Sequence, residues 1–344
     1  MDGSHASDEH AWFALATYLT PQGAERVGLA LDPAVQPPAG LLPLEAACAE
    51  YRAATGERLP EIPADISMLR LLEAWPATSP YLEKLASFLH AEPEAAARAR
   101  GRLGQVTLLA PVPWPGKIVN VGINFHDHAR EMGLVVDPEK FTPNFFFKGD
   151  RNCIIGAGQP VRLSSNYVDW EAELAVVMGR KARNIPRESA LDHVAGFTCH
   201  NDVTDRWIMM HGGTTLDFLG GKGRDTFAPT GPWLVPTRFV PDPNTLPIRL
   251  RHNGRLMQDT STGNMIWGVE RCLAYLSTVL TLLPGDVVAL GTGAGTGWAE
   301  GCEEPKTMPR LIAHMEGGGG VFLRSGDSMA VEIDHVGVLA TPVE

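Results

Sequence analysis

Short apolar runs separated by turn residues characterise the sequence beyond residue 115. The runs are rich in Val, Ile and Leu, and Gly, Pro or Asp stands between them, which is typical of strands joined by turns. The clearest predicted strands are Ile118–Val121, Leu174–Met178, Ile248–Arg251, Val287–Leu290 and Met329–Ile333. Because strands must pair to satisfy their backbone groups, this part of the chain is predicted to form a strand-rich domain.

A single amphipathic helix interrupts the strand pattern. Apolar residues recur at three- and four-residue spacing from Ile266 to Leu280, and Pro284-Gly285-Asp286 ends the segment. A polar stretch from Trp298 to Ser325 follows, and it contains the tetraglycine Gly317–Gly320. We predict a loop there, and a loop of this length inside a compact domain is usually functional or without fixed structure.

The first part of the chain has a different pattern. Two apolar runs, Phe13–Leu19 and Val27–Leu31, are joined by a Pro-Gln-Gly turn and predict a hairpin. Helical stretches rich in Ala, Leu and Glu follow from about residue 44 to residue 104, interrupted by prolines. The segment Leu109–Pro115 contains three prolines and is typical of a linker. We therefore predict an N-terminal domain over residues 1–112 and the strand-rich domain over residues 113–344.

Charge and cysteine usage exclude several classes of protein. The net charge of −11 argues against a nucleic-acid partner, which requires clustered Lys and Arg. No basic amphipathic run or long apolar stretch suggests a membrane, and the start MDGSHASDEH lacks the features of a signal peptide. The five cysteines are scattered without C-x-x-C spacing, which favours reduced thiols over disulfides or a zinc site. We expect a cytoplasmic protein.

Three acidic residues form a candidate metal site. Glu171 and Glu173 alternate along a predicted strand and therefore point to the same side, where their charges repel unless a cation lies between them. Asp202 follows another short segment that can end a strand beside the first. Three oxygen ligands suit Mg²⁺ or Mn²⁺, with Ca²⁺ as an alternative, rather than zinc. The competing interpretation is a solvent-facing strand edge for the glutamates and a turn or cap for Asp202.

Two further segments carry groups suited to proton transfer. Asn124 is a candidate N-cap and Gly133 a candidate stop for a short helix, on which His128 and Glu131 lie three residues apart and can hydrogen-bond. A histidine oriented by a carboxylate is a suitable general base near neutral pH. Lys222 lies in a dense Gly/Pro loop over residues 221–232 and could stabilise an oxyanion. The alternatives are an ordinary surface ion pair, with His126 and Asp127 as rival groups, and a solvated lysine.

The order and spacing of these segments resemble those of the fumarylacetoacetate hydrolase superfamily over residues 117 to 343. The segment VGINFHDHAREMG is similar to its G-x-N-Y-x-x-H-A-x-E lid, and DWEAELAVVMG is similar to its D-x-E-x-E-L strand. Further family motifs are similar to AGFTCHNDVTDR, GKGRDTFAPTGP, LLPGDVVALGTG and the spacing of Asn253-Gly254, Gln258, Thr262 and Met265-Ile266. Within the superfamily, the chain is most similar to acylpyruvase and 2-hydroxyhepta-2,4-diene-1,7-dioate isomerase-like members.

The resemblance implies a fold and a set of site residues. The fold is α+β and mostly β, a mixed β-sandwich roll with a small N-terminal domain, usually in a homodimer. Glu171, Glu173 and Asp202 are implied to bind the metal, and His128 and Glu131 are implied to activate water on a mobile lid over residues 126–141. Lys222 is the implied third catalytic residue. The implied substrate-binding residues are Asn124, Lys148, Arg206, Met209, Thr226, Gln258 and Thr292.

The resemblance also implies an activity. It indicates a metal-dependent hydrolase that cleaves a C–C bond in a small 1,3-dicarbonyl substrate, an acylpyruvate or a fumarylacetoacetate-like 2-oxo acid. Such an enzyme serves the catabolism of aromatic or related compounds. The alternatives are a decarboxylase, isomerase or hydratase that uses the same site, and a binding protein without catalysis.

Three positions depart from the family pattern. Met209 stands where the family often has Gln, which suggests a less polar substrate end. The segment Gly291–Gly297 lacks the proline of the family's G-T-P-x-G-V-G, and the 298–325 loop is longer than usual. All three are expected near the pocket, so they bear on the substrate more than on the metal.

Overall fold

A computed structural model describes residues 11–60, 62–63, 65–304 and 306–344. Residues 1–10, on which the expectation of no signal peptide rests, lie outside the described part. The strands are Ala14–Leu19 (β1), Glu25–Ala30 (β2), Leu41–Pro43 (β3), Thr107–Leu108 (β4), Ile118–Gly122 (β5), Asn144–Phe147 (β6), Ile154–Ile155 (β7), Val168–Asp169 (β8), Ala172–Met178 (β9), Val194–Asn201 (β10), Thr204–Asp205 (β11), Ala228–Pro236 (β12), Pro247–His252 (β13), Arg255–Ser261 (β14), Val287–Thr292 (β15), Ser328–Ile333 (β16) and Gly337–Pro342 (β17).

Helices occupy mainly the N-terminal region and the edges of the sheets. The α-helices are Leu44–Thr55 (α1), Met68–Glu73 (α2), Trp75–Ala91 (α3), Pro93–Arg100 (α4), His126–Glu131 (α5), Arg206–His211 (α6), Phe218–Lys222 (α7), Val269–Val279 (α8) and Met308–Glu316 (α9). Short 3-10 helices span Arg151–Cys153, Arg187–His193, Thr237–Phe239, Thr262–Asn264 and Gly297–Ala299. No helix among the described residues is both long and apolar enough to cross a bilayer.

Two packed sheets form the body of the molecule. The larger sheet has the order β3-β2-β1-β12-β10-β9-β15-β5-β6, with β4 beside β1 and β7 beside β12. It is mixed, because β15 runs parallel to β5 and β7 runs parallel to β12. The second sheet, β14-β13-β16-β17, packs through β16 and β17 on β9, β10 and β12. Side chains from both sheets form one apolar core, and the predicted α+β, mostly β fold is confirmed.

The predicted strands and the N-terminal hairpin are present, because long buried apolar runs leave the backbone few alternatives. Strand β12 was missed, since its residues were interpreted as the end of a Gly/Pro loop. It is fully buried between β1 and β10. The register between β10 and β12 shifts between Phe197 and Cys199, and Pro232 falls in that irregularity, where no ladder donor is required.

The predicted 298–325 loop is also wrong in part. Helix α9 lies within it, and its Leu311 and Met315 are buried against Trp298. Met308, Leu311 and Met315 recur at helical spacing, a signal that the surrounding Gly and Glu residues obscured. The segment therefore contributes a small apolar cluster of its own.

The N-terminal region is continuous with the large sheet. Leu15 of β1 pairs with Leu234 of β12, and both side chains are fully buried. The core beneath helices α1–α4 includes Val177 of β9 and Val287 of β15. Helices α1–α4 therefore cover one face of the large sheet, which includes β9 and β15. The domain boundary near residue 112 stays a prediction.

We expect Leu15→Ala to lower the free energy of unfolding by about 2–5 kcal/mol, because truncation leaves a cavity in the core between the large sheet and helices α1–α4. Chemical denaturation measures the change, and Leu256→Ala, at an exposed position on β14, should change it by less than about 0.5 kcal/mol. Since the helices and the sheet share a core, the protein should unfold in a single transition. The denaturant concentration at its midpoint should be lower for Leu15→Ala than for the unaltered protein. Two separate transitions, of which only one moves, would contradict the shared core.

Candidate functional site

Three buried carboxylates meet where β9 and β10 lie side by side. Glu173 lies within β9 opposite His200 of β10, Glu171 directly precedes β9, and Asp202 directly follows β10. The amide of Asp202 donates to the carbonyl of Glu171 over 2.8 Å, which fixes the two chain ends together. Carboxylate oxygens of the three residues lie within 4.8 Å of one another. The structure thus brings the predicted acidic triad together.

Two lysines neutralise part of this cluster. The Lys222 ammonium donates to Glu171 (2.8 Å), to Asp202 (2.7 Å) and to the Thr204 hydroxyl (2.9 Å). Lys148 is fully buried and donates to the other oxygen of Asp202 and to the Val203 carbonyl. All three hydrogens of Lys222 are engaged, so this lysine holds the carboxylates in position.

Arg206 anchors the cluster from the other side. Its Nε donates to Asp169 over 2.7 Å, and its Nη2 lies 2.7 Å from a Glu171 oxygen. Asp169 also accepts from the amide of Trp298, over whose ring the guanidinium lies. Burial raises the pKa of Asp169 to about 6, although the Arg206 charge opposes this shift. The arginine therefore links β8, the triad and the 298–325 segment.

Charge is unevenly compensated among the three ligands. Burial by itself raises the pKa of Asp202, but the charges of Lys148 and Lys222 outweigh it and hold the pKa below its usual value. Burial and the charges of Asp202 and Glu171 raise the pKa of Glu173 well above its usual value. A divalent cation between the three carboxylates would remove this imbalance. Three oxygen donors suit Mg²⁺ or Mn²⁺, so the residues present fit such an ion.

A histidine–carboxylate pair lies on α5 beside the same cavity. The Nδ1 of His128 lies 2.9 Å from Glu131, whose carboxylate also accepts from the Gly295 amide (2.8 Å) and the Thr296 hydroxyl (2.9 Å). Burial raises the pKa of Glu131, but these donors, His128 first, lower it overall. An ionised Glu131 only accepts, so Nδ1 carries a hydrogen and the His128 Nε2 is free to take a proton.

The two rival residues of this helix, His126 and Asp127, are positioned differently from His128 and Glu131. His126 is exposed, and Asp127 accepts from the His128 amide and the Thr260 hydroxyl. The predicted cap at Asn124 is wrong, because α5 begins at His126 and has Phe125 at its cap position. Asp127 instead ties the helix to β14.

A cavity of about 160 Å³ is lined by His128 of the pair and by Glu171 and Asp202 of the triad. Since water occupies about 30 Å³ per molecule in the liquid, the space holds a small substrate. The predicted residues that line it are His128, Glu171, Asp202, Arg206, Met209, Lys222 and Thr292. Its other walls are largely apolar and include Met132, Met210 and Met308.

Four of the predicted substrate-binding residues have their polar groups engaged elsewhere. The Asn124 amide bonds to the backbone of Trp267 and Leu290, and the Gln258 amide bonds to Ala172, Thr292 and Gly293. The Thr226 hydroxyl accepts from the Arg162 amide, and Lys148 holds Asp202. None of the four is among the cavity-lining residues, and their buried polar groups are satisfied within the protein instead.

Several site residues were missed by the sequence reasoning. Thr204 completes the bonds of Lys222, and Asp169 holds Arg206. Thr296 stands where the family motif has Val, and its hydroxyl is the one that binds Glu131. The departure from the motif at Thr296 was a usable signal, whereas Thr204 has no pattern that marks it.

We expect Mg²⁺ or Mn²⁺ to raise the melting temperature, because an ion that binds only the folded state adds about 2.7 kcal/mol at a hundred times its Kd. Glu173→Gln should abolish this rise without destabilising the metal-free protein, since it removes an uncompensated buried charge. Differential scanning fluorimetry with and without EDTA measures both effects. Glu94→Gln, at an exposed position on α4, is the control. A metal-dependent rise that survives Glu173→Gln would assign the ion to another site.

Solved structures with the same fold include a hydrolase and an isomerase. Maleylpyruvate hydrolase from Sphingobium sp. SYK-6, in complex with manganese(II) and pyruvate, superposes with a TM-score of 0.65 at 27% identity, covering 96% of this chain and 98% of that one. The 2-hydroxyhepta-2,4-diene-1,7-dioate isomerase from Mycobacterium marinum gives 0.53 at 32% identity, covering 69% and 77%.

Sequence comparison assigns the family. The fumarylacetoacetate (FAA) hydrolase C-terminal model matches residues 117–344. The mitochondrial oxaloacetate tautomerase fahd2 of Xenopus laevis is 39% identical over 241 residues, covering 69% of this chain and 68% of that protein. The mitochondrial oxaloacetate tautomerase FAHD2B of Homo sapiens is 38% identical over 242 residues, covering 70% of each. With the acidic triad and the histidine–carboxylate pair in place, the chain belongs to the fumarylacetoacetate hydrolase family.

Proposed function

We propose that this protein is a divalent-metal-dependent hydrolase that cleaves a carbon–carbon bond in an acylpyruvate-type 2-oxo acid. The observation that carries the proposal is the His128–Glu131 pair. Its histidine lines the same cavity as Glu171 and Asp202, and Gly295 and Thr296 hold its carboxylate in place. Hydrolysis needs a positioned base to activate water, and a carboxylate-oriented histidine is such a base.

Glu171, Glu173 and Asp202 would hold the cation. When bound, the cation would act as a Lewis acid on the 2-oxo acid group. The maleylpyruvate hydrolase that was crystallised with manganese(II) and pyruvate supports a divalent ion beside a 2-oxo acid. Mg²⁺, Mn²⁺ and Ca²⁺ all remain candidates, because each accepts carboxylate oxygens.

The residues of this chain account for the proton movements. His128 Nε2 takes a proton from water, and the water oxygen forms a bond to the distal carbonyl carbon of the substrate. The carbon–carbon bond between that carbonyl and the neighbouring methylene then breaks, and its electron pair stays on the methylene carbon. The His128 imidazolium returns the proton to this carbon. The products are a carboxylic acid and a shorter 2-oxo acid, and the charges of Lys222 and Arg206 favour the anionic intermediate.

A tautomerase or isomerase is the second candidate. Relatives of 38–39% identity are named oxaloacetate tautomerases, and a structural neighbour is named an isomerase. Such a reaction moves a proton between carbon and oxygen and uses His128 without water. Decarboxylation or dehydration could use the same groups. A binding protein without catalysis is the weakest alternative, since His128, Lys222 and the three carboxylates are all retained. We also propose that the protein is a homodimer, that it is located in the cytoplasm and that its substrate is a small oxo acid.

We expect the protein to convert acetylpyruvate to acetate and pyruvate with Mg²⁺ or Mn²⁺, and to lose this activity in EDTA. His128→Gln should lower kcat by about 10²–10⁴-fold, the usual contribution of a general base. Glu171→Ala should abolish turnover, and His126→Gln, an exposed position on the same helix, should leave it unchanged. Pyruvate formation is followed by a coupled assay. Enol–keto conversion of oxaloacetate without acetylpyruvate cleavage would favour the tautomerase, and CO₂ release from oxaloacetate would favour a decarboxylase.

Thr296 should contribute through Glu131. Thr296→Val keeps the shape of the side chain but removes the donor to the carboxylate, and a hydrogen bond to a charged group is worth about 1.5–3 kcal/mol. We expect kcat to fall about tenfold or more with little change in KM, and Thr296→Ser to restore it. Steady-state kinetics of the two variants test this. An unaltered kcat in Thr296→Val would show that Gly295 and His128 suffice to hold Glu131.

A further inference from the structure

Methionines from three elements line the cavity beside the carboxylate cluster. Met209 and Met210 lie on α6, Met132 directly follows α5, and Met308 begins α9. We call these four side chains the methionine wall. Leu216 and the aromatic rings of Phe146 and Phe218, whose centroids lie 4.7 Å apart, line the cavity next to it. Thioether side chains are flexible and polarizable, so such a wall adapts to apolar groups of different shape.

The cationic residues that line this cavity are already paired. Arg206 contacts Asp169 and Glu171, and Lys222 donates to three oxygens. His128 is bound to Glu131. Among the described lining residues, no other side chain is cationic. A carboxylate placed against the methionines would therefore lose its water without gaining a cationic partner, which is costly.

We propose that the methionine wall selects substrates whose end distal to the 2-oxo acid is a short apolar group and that it rejects dicarboxylates. The inference rests on the proposed function, since it assumes that the 2-oxo acid head lies at the acidic triad. The small cavity volume limits the length of the apolar group.

The preference inferred for this chain differs from the substrates that the names of the relatives specify. Their names specify oxaloacetate, maleylpyruvate or a heptadienedioate, and each of these compounds carries a second carboxylate. Met209 stands where the family motif often has glutamine, and Met132, Met210 and Met308 add three further thioethers to the cavity lining.

Matched pairs of 2-oxo acids test the proposal without any turnover. In 2-oxopentanoate and 2-oxoglutarate, a methyl group and a carboxylate end chains of equal length. Isothermal titration calorimetry with saturating Mg²⁺ should give a Kd for 2-oxopentanoate roughly tenfold or more below that for 2-oxoglutarate. From pyruvate to 2-oxobutanoate and 2-oxopentanoate, each methylene should tighten binding about fourfold. EDTA should abolish binding of all four acids.

Charge variants locate the selecting surface. Met210→Lys and Met308→Lys add a cation at half-buried lining positions and should narrow or reverse the preference. Met257→Lys makes the same change at a half-buried position on β14 outside the lining and should leave the preference intact.

The outcomes separate the two proposals. Equal or tighter binding of 2-oxoglutarate, or binding that persists in EDTA, would overturn the selection. Retention of the full preference in both lining variants would do the same. Failure of acetylpyruvate hydrolysis alongside the expected affinities would overturn only the proposed reaction.

Discussion

Buried carboxylates repel one another unless cations lie among them, and this constraint governs the centre of the molecule. Glu171 and Asp202 share Lys222, and Lys148 and Arg206 each take one further carboxylate oxygen. Glu173 has only the Gly291 amide beside one of its oxygens and keeps a raised pKa, mainly through burial. The arrangement is therefore short of positive charge at Glu173, which is the condition that a divalent cation satisfies. Substituting one member of a buried ion pair in this cluster should lower the free energy of unfolding by more than the pair itself contributes, because it leaves a buried charge unpaired.

The sheet and the amide side chains around it hold this cluster rigid, whereas the base rests on a separate element. Asn201 and Gln258 accept from the amides of Glu171 and Ala172, so the backbone that carries the ligands is fixed from both sides. Helix α5 is attached through fewer polar contacts, chiefly those of Asp127 and Glu131 with the β14 and Gly295–Thr296 segments. In this structure His128 of this helix is buried and lines the cavity. The mobility of residues 126–141 stays a prediction. Closure of such a lid would couple water activation to the exclusion of bulk solvent.

Sequence reasoning succeeded where one local pattern determined the result. The strands around Leu174 and Val287 are continuous apolar runs, and the acidic triad follows from strand alternation together with the family motifs. It failed at β12, where a strand tolerates prolines because its irregular pairing with β10 demands fewer donors. The family motifs predict that Asn124 and Gln258 bind the substrate, but a motif does not show which group a side chain contacts in the folded protein. Only the fold shows that their amides satisfy backbone groups distant in sequence. The methionine wall combines three distant segments, so no local pattern could have revealed it.

The proposed mechanism depends most on the position of the metal. Anomalous scattering from crystals grown with Mn²⁺ measures that position directly and is independent of any assumed substrate. We predict one strong peak bonded to oxygens of Glu171, Glu173 and Asp202, beside the cavity that His128 lines. A peak at another site, or no peak while Lys222 continues to bridge Glu171 and Asp202, would contradict a metal-dependent mechanism for this protein.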